Sequence, residues 1–338
     1  MEEARERIAA VLGAESREIF FTSGATESNN LAILGVAESG RSTGRHIVTV
    51  ETEHPAVLDP CRSLGNRGWE VTSLPVSSDG LIEPDQLSSC LRKDTVLVSV
   101  MAANNEIGVL QPIQTLASIS RDHGVLFHSD AAQAAGRVEI DVGGDTIDLL
   151  SLSGHKLYGP KGIGVLFVRQ RRPRVRLTPR QFGGGHEGGL RAGTVPVPLV
   201  VGLARALELC VEERERESAR LIVLRDRLYR RIRDSIPSVR LNGHPGQRLP
   251  GNLNLTFEDV DGAQLLLALN GLAVSSGSAC ASAKSELSHV LRAIGLSENQ
   301  AQASLRFGLG RSTTAEEIER AAEIVIGAVG RVGTPSDP

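Results

Sequence analysis

The chain has 338 residues, of which 41% are apolar and 23% are charged, and its formal net charge is −3. This composition is typical of a soluble globular protein with one large or two modest domains. It argues against several classes of protein. The four cysteines are irregularly spaced and form no CxxC pair, so neither a disulfide framework nor a zinc site is indicated. No basic block is interleaved with aromatic residues, which argues against direct nucleic-acid binding.

The N-terminus also argues against export or membrane insertion. MEEARERIAAVL predicts an amphipathic helix rather than a signal peptide, and the sequence contains no apolar run of about eighteen residues that could span a bilayer. Few cysteines without a pairing pattern are typical of reduced thiols. We therefore expect a cytoplasmic protein with no membrane association.

The first two thirds of the chain predict a parallel sheet covered by helices. Short β-branched runs alternate with helical patterns, which is typical of an α/β fold. The predicted strands are residues 47–50, 96–101, 125–129, 147–152 and 164–168.

The last third predicts a smaller α+β unit. Apolar residues recur on one face of the charge-rich stretch 212–236, which indicates a long amphipathic helix. A strand at 252–257, a helix over GAQLLLAL and a strand-like segment at 272–276 follow. Thr313 and Glu316 have the spacing of a capping box at the start of a final helix. The predicted domains are residues 1–211 (large), 212–330 (small, C-terminal) and a disordered tail, 331–338.

One stretch is locally basic. Residues 169–180, RQRRPRVRLTPR, predict a solvated loop or hairpin, since runs of charge are usually exposed to water. The alternative is a surface that meets an acidic partner.

Residues that follow the predicted strands have complementary chemistry. In an open α/β sheet the ligand usually binds outside the carboxyl ends of the strands. FFTSGATESNN places Ala25 and Thr26 at a helix start, which favours an anion such as phosphate. His54 ends TEH, and Asp130 ends the apolar run VLFHS with no lysine or arginine nearby in sequence. A carboxylate in such a place needs a cation.

The next strand ends in SGHK, which closes on Lys156. A lysine in a low-dielectric site can have a lowered pKa and can form Schiff bases. Pyridoxal phosphate requires this combination of groups: an anion site for its phosphate, a partner for its ring, a carboxylate for its pyridine nitrogen and a lysine for its aldehyde. The order of these groups along one sheet predicts this cofactor.

Seven motifs resemble a known family. FTSGATESNNLAI, TEHPAV, ANNEIGVLQPI, HSDAAQ, SGHKLYGPKGIG, GGGHEGGLRAGT and SSGSACASAKSELSHVLRAIG are similar to segments of the cysteine desulfurases of iron–sulfur assembly and nitrogen fixation. These enzymes belong to the class V aminotransferase family of fold type I. The resemblance covers nearly the whole chain in the family's order. It implies conversion of L-cysteine to L-alanine, with the sulfur held as a persulfide on the enzyme and then passed to an acceptor or iron–sulfur scaffold protein.

The resemblance also implies roles for individual residues. Lys156 matches the lysine that binds the cofactor aldehyde, Asp130 the partner of the pyridinium nitrogen, and His54 the residue that stacks on the ring and assists proton transfer. Gln133 matches the partner of the ring hydroxyl. Asn105 and Arg306 match residues that hold the substrate. The matches to phosphate contacts are Ala25, Thr26, Ser153, His155 and, reaching across from a second subunit of a homodimer, Thr194.

Cys280 matches the family's nucleophile. It lies among Gly, Ser and Ala residues in a stretch that matches the long-loop subgroup, and the same thiol is a candidate transient ligand of an iron–sulfur cluster. Cys61, Cys90 and Cys210 lie in helical or apolar contexts, where free cysteines are usually buried and inert.

Three functional classes stay open at this point. They are an active cysteine desulfurase, another class V enzyme such as a selenocysteine lyase or an aminotransferase, and a non-catalytic protein that binds the cofactor or a scaffold. In the family, a segment that completes the small domain precedes the point where this sequence starts. We therefore expect the chain as given to bind the cofactor but to turn over cysteine poorly.

Overall fold

The structure, a computed structural model, describes residues 1–40, 44–144, 146–171, 174–276 and 287–332. The chain divides into two compact units. The first comprises Met1–Pro75, Ile82–Asn104 and Leu110–Arg214, and the second comprises Val76–Leu81, Asn105–Val109 and the chain from Glu215 onward. Within the described ranges, we find no helix that combines the length and the apolar character needed to cross a bilayer.

The first unit is built on a seven-stranded sheet. Its strands are β1 (Ile19–Thr22), β2 (His46–Val50), β3 (Glu70–Leu74), β4 (Thr95–Ser99), β5 (Leu126–Asp130), β6 (Leu149–Ser153) and β7 (Gly164–Val168). They lie in the order β1-β7-β6-β5-β4-β2-β3. Only β7 runs against its neighbours, β6 and β1, so the other six strands share one direction. The predicted α/β fold with a mostly parallel sheet is confirmed, and the carboxyl ends of six strands meet at one edge.

Helices bury this sheet. They are α1 (Glu2–Leu12), α2 (Ala25–Ala37), α3 (Pro55–Gly65), α4 (Pro84–Cys90), α5 (Ile113–Asp122) and the first part of α6 (Val197–Ser235). Every residue of β2, β4, β6 and β7 is buried, which explains why these strands read as continuous β-branched and aliphatic runs. Leu31 and Ile33 of α2 belong to the same core as Ile47, Leu97 and Leu166.

The second unit contains a three-stranded antiparallel sheet. It consists of β8 (Val239–Leu241), β9 (Asn252–Phe257) and β10 (Ser304–Gly308) in the order β10-β9-β8. The remaining helices are α7 (Gly262–Ala268), α8 (His289–Ala293), α9 (Glu298–Gln302) and α10 (Ala315–Val332). The apolar face predicted for the long helix lies in this unit's core, where Leu224 and Leu228 of α6 cluster with Leu255 and Phe307.

The sequence missed some elements. It predicted β2, β4, β5, β6, β7 and β9, but not β1, β3, β8 or β10. The strand-like segment 272–276 is not a strand, because only Ser275 forms a bridge, to Arg306. The long helix begins at Val197, well before the predicted residue 212. The predicted domain limits stay predictions; α10 ends at Val332, and the rest of the predicted tail, residues 333–338, lies outside the described ranges.

The basic segment 169–180 is not simply a solvated loop. Arg169 is fully buried, where its guanidinium lies 3.4 Å from the Asp148 carboxylate and donates to the carbonyl of Ile147. Arg171 pairs with the buried Glu18 at 3.1 Å. A buried arginine needs such partners. Local charge in the sequence cannot predict them, because they are distant along the chain.

The capping box of α10 lies one residue later than predicted. Thr314 Oγ1 accepts a hydrogen bond from the Glu317 amide at 3.2 Å, and the Glu317 carboxylate accepts one from the Thr314 amide at 2.9 Å. Thr313 instead accepts from the Gly310 amide at 3.0 Å.

We expect Thr314→Ala to lower the free energy of unfolding by about 1 kcal/mol, the usual cost of losing an N-cap side chain. Ser312→Ala removes a neighbouring exposed hydroxyl and should change this free energy by less than about 0.5 kcal/mol. Urea unfolding of both variants measures the difference. An unchanged Thr314→Ala together with a destabilised Thr313→Ala would instead support the capping box predicted from the sequence.

Candidate active site

The site residues of the first unit lie at or just after the carboxyl ends of four strands of the sheet. β1 leads to Gly24 and α2, β2 leads to His54, β5 ends at Asp130, and β6 leads into a 3₁₀ helix, Gly154–Lys156. Because these strands run in one direction, the sheet brings the four segments to one edge. Gln133 lies half-buried in the turn after Asp130.

Asp130 is buried at this edge and held by two hydrogen bonds. Its side chain is buried, and its two carboxylate oxygens accept hydrogen bonds from Asn29 Nδ2 at 2.6 Å and from the Ala132 amide at 2.8 Å. Burial raises the pKa of Asp130, and these two bonds oppose that shift. The charges of His54 and Lys156 also lower the pKa of this carboxyl, so both lie within electrostatic reach of it. The arrangement favours a carboxylate that faces a cation.

His54 has a fixed orientation. It is the N-cap of α3, and its Nδ1 accepts a hydrogen bond from the Ala56 amide at 3.0 Å. The neutral ring therefore carries its proton on Nε2. His54, Thr26 and Asn30 line a cleft of about 470 Å³.

The turn before α2 combines the amides of a helix start with a close approach of two backbones. α2 begins at Ala25, so the amides of Ala25 and Thr26 lie in its first turn, where N–H groups have no partner inside the helix. A Cβ on Gly164 would lie 2.6 Å from Gly24 Cα, which shows that only glycine fits there. Glycine at 164 thus allows this turn to pack against β7.

Ser153 and His155 lie beside this turn. Ser153 Oγ is 2.9 Å from His155 Nδ1, and a Cβ added to Gly24 would lie 3.5 Å from that oxygen. Burial, then the neighbouring charges of Lys156 and Lys161, lower the pKa of His155. A hydroxyl, an imidazole and helix amides here suit a phosphate group.

The loop carrying Thr194 is tied to the same turn. Arg191 donates to the Glu27 carboxylate at 2.8 Å, and the other oxygen of Glu27 accepts from the Ser23 amide at 2.7 Å. Thr194 itself is exposed.

The remaining candidates belong to other parts of the chain. Asn105 and Arg306 belong to the second unit, where Arg306 Nη1 donates to the Asn105 carbonyl at 2.7 Å and Nη2 donates to Ser275 Oγ at 3.2 Å. Cys280 lies outside the described residues. Two of the other cysteines, Cys61 and Cys210, are buried, and burial raises the pKa of the Cys61 thiol to about 12.

Two functional candidates were missed by sequence reasoning. Asn29 is fully buried in α2 and holds Asp130; the signal was an asparagine on the apolar side of a helix. Glu53 is also fully buried, and its carboxyl accepts from the Met101 amide. Burial, reinforced by the nearby Asp130, raises the pKa of Glu53 well above its usual range. Beside a charged Asp130 the neutral form of Glu53 is favoured, since two adjacent buried carboxylates repel each other.

We expect Glu53 to make the protein less stable as pH rises. The pKa of Glu53 is higher in the folded protein than in the unfolded chain. Its contribution to stability is therefore complete at pH values below the unfolded pKa. As pH rises from there toward the folded pKa, this contribution is lost by up to about 1.4 kcal/mol per pH unit. Glu53→Gln is neutral at every pH and should remove this loss. The melting temperature of the variant relative to wild type should therefore rise between about pH 5 and pH 8. A difference that is constant over this range would show that the pKa of Glu53 is not raised in the folded protein.

Comparison with known proteins identifies the family. Residues 1–321 match the family model for aminotransferase class-V, and the chain belongs to this family. It is 53% identical to the cysteine desulfurase IscS of Ehrlichia chaffeensis over 329 residues, which cover 97% of this chain and 80% of that protein. It is 52% identical to the cysteine desulfurase of Homo sapiens over 332 residues, covering 98% and 72% respectively.

Solved structures agree with this assignment. A NifS-like protein superposes with a TM-score of 0.90 at 35% identity, covering 98% of this chain and 87% of that one. A structure described as SspA in complex with cysteine has a TM-score of 0.80 at 40% identity, with coverage of 91% and 86%. The family resemblance inferred from the motifs is confirmed.

Proposed function

We propose that this protein is a pyridoxal phosphate-dependent cysteine desulfurase. About half of its residues are identical to those of relatives named cysteine desulfurase, over nearly its whole length, and this supports the same reaction. The observation in this chain that carries the proposal is the buried Asp130 carboxylate, held by two donors at the sheet edge that also presents Lys156. A carboxylate so placed fits a protonated pyridine ring.

The donor set fits the cofactor group by group. The first turn of α2, with Ser153 and His155, would hold the phosphate; Asp130 would pair with the ring nitrogen; and Lys156 would bind the aldehyde. His54 would contact the ring, and Gln133 is assigned to the ring hydroxyl. When bound, the cofactor withdraws electrons from the substrate Cα and so labilises the bonds around it.

The reaction is balanced without an outside oxidant. L-Cysteine and the Cys280 thiol yield L-alanine and a Cys280 persulfide, so the substrate's Cβ–S bond breaks, an S–S bond forms, and Cβ gains the proton that replaces sulfur. Lys156 or His54 moves the Cα proton. The persulfide then passes its outer sulfur to an acceptor thiol or a scaffold protein.

The guanidinium of Arg306 is assigned to the substrate carboxylate. Its two Nη groups are fixed by Asn105 and Ser275, which limits the guanidinium to one orientation, and a planar fork suits a carboxylate. We assign Asn105 to the same task.

A second copy of this chain is one expected partner. An exposed Thr194, on a loop tied to α2 by the Arg191–Glu27 pair, supports a homodimer in which this loop reaches the partner's phosphate site. Nearby exposed apolar residues, Phe182, Val197 and Val201, suit such an interface. The identity of the sulfur acceptor and the cytoplasmic location stay predictions.

Lys156→Ala should abolish covalent attachment of the cofactor after borohydride treatment while its phosphate site still binds some of it, because only the aldehyde partner is removed. Lys161→Ala, which changes an exposed lysine nearby, should leave attachment intact. Peptide mass spectrometry after reduction locates the adduct. An adduct retained at full yield in the Lys156 variant would contradict the assignment.

Cys280→Ser should keep the visible absorption of the cofactor and its change on adding L-cysteine, yet lower alanine release by at least about 100-fold, since a hydroxyl cannot accept the sulfur. Cys90→Ser, at a half-buried thiol whose pKa burial raises, should stay within about threefold of wild type. Alanine and sulfide are assayed together. Full activity of the Cys280 variant would favour another class V reaction.

A further inference from the structure

Glu187 is a buried residue in a mostly exposed loop, residues 182–196, which we call the Thr194 loop. Within the described stretch 181–189, Glu187 alone is buried. Its φ of 48° lies in the left-handed region that favours glycine. The nearby residues with positive φ are Gly184, Gly185, Gly188 and Gly189. A glutamate among these glycines adopts a backbone conformation that glycine would adopt without strain, which points to a role for its side chain.

The Glu187 side chain joins the loop to α1 and β1. Its two carboxylate oxygens accept hydrogen bonds from the two Nη groups of Arg5, both at 2.9 Å, and the Phe21 amide donates to Oε2 at 2.7 Å. The side chains of Arg5 and Glu187 are only 11% and 2% exposed. A shift of the loop would break these charge-assisted bonds where water does not readily replace them, so the contact fixes the loop.

A cavity of about 720 Å³ lies beside this contact. Its lining includes Arg5 and Glu187 themselves, Ile19 and Phe20 of β1, and Val195 of the Thr194 loop. Open space beside the loop means fewer packing contacts on this side. The ion pair and its hydrogen bonds therefore carry a larger share of what holds the loop in place.

The loop is attached on both sides of the turn before α2. Glu187 binds the amide of Phe21, which precedes this turn, and Arg191 binds the carboxylate of Glu27, which follows it, at 2.8 Å. The turn carries the helix amides assigned to the cofactor phosphate. The Thr194 loop is thus held by the same short segment that forms the phosphate site of its own subunit.

We propose that Glu187 is a positioning residue for cofactor binding, because it holds the Thr194 loop where the Thr194 hydroxyl can donate to the phosphate in a second copy of the chain. This inference rests on the proposed homodimer and on the role assigned to Thr194. Each phosphate turn would then bind one phosphate directly and support the loop that completes the other phosphate site.

The chain offers a matched control on the same helix. Arg7 of α1 also forms two hydrogen bonds to one carboxylate, that of Glu208 in α6. The side chains of this pair are 32% and 20% exposed. Glu208→Gln therefore removes a charge from a second pair on α1 without changing a contact of the Thr194 loop.

Glu187→Gln should lower the affinity of the full chain for pyridoxal phosphate about tenfold, and for pyridoxal, which lacks the phosphate, by less than about twofold. Thr194→Ala should show the same pattern. Adding Glu187→Gln to Thr194→Ala should cause no further loss, because Glu187 acts through Thr194. Glu208→Gln should match wild type. Absorbance titrations measure both ligands; an equal loss for the two, or additive losses in the double variant, would overturn the proposal.

Arg191→Met removes the second attachment of the loop, where the side chains are 17% and 25% exposed and the fold is less at risk. It should also weaken pyridoxal phosphate more than pyridoxal, and an equal loss for both ligands would count against the proposal.

Hydrogen exchange tests the anchor without any ligand. Exchange in the peptide 182–190, followed by mass spectrometry, should rise at least about threefold in Glu187→Gln and stay unchanged in Glu208→Gln. Unchanged exchange in Glu187→Gln would overturn the inference at the anchor itself. Unchanged affinity for pyridoxal phosphate in Thr194→Ala would instead overturn it through the proposed function, since Thr194 would then have no part in the phosphate site.

Discussion

The buried carboxylate at the end of β5, Asp130, determines which charged groups can lie at this edge of the sheet. Removing Asp130 from water is costly, and its two hydrogen bonds, from Asn29 and the Ala132 amide, offset only part of that cost. Burial and the charge of Asp130 raise the pKa of the nearby Glu53, which favours its neutral form. The Asp130 carboxylate is stabilised further by any cation placed at the open side of the sheet edge. The same constraint explains why Lys156 and a positively charged ring suit this site.

The position of Asp130 depends in turn on the sheet beneath it. His128, two residues earlier on β5, is fully buried, and burial lowers its pKa to about 3. The neutral ring bonds Ser99 Oγ of β4 at 2.8 Å and Ser151 Oγ of β6 at 3.0 Å. One imidazole thus links three adjacent strands, and a slip in their register would break both bonds. The end of β5 that carries Asp130 and the 3₁₀ helix that carries Lys156 therefore start from a fixed base.

The sequence predicts what depends on local pattern and misses what depends on distant partners. Fully buried strands such as β4 and β7 are continuous apolar runs, whereas the short β1 and β10 become strands only through their antiparallel neighbours. The sequence TTAEE contains two overlapping capping boxes, and only the three-dimensional structure selects Thr314 over Thr313. At the site, strand ends and motifs predict Asp130. Its hydrogen-bond partner Asn29 lies 101 residues away from it along the chain. Glu53, judged from the sequence alone, resembles an exposed surface residue.

Two adjacent residues of one turn in the second unit, Asn105 and Glu106, bind different partners. Asn105 presents its carbonyl to Arg306, and Glu106 presents its carboxyl to Ser288. Their backbone is held by Asn254 of β9, whose side chain also bonds Asn242. One turn therefore supports both the Arg306 guanidinium and the start of α8, so a shift in that turn moves both together.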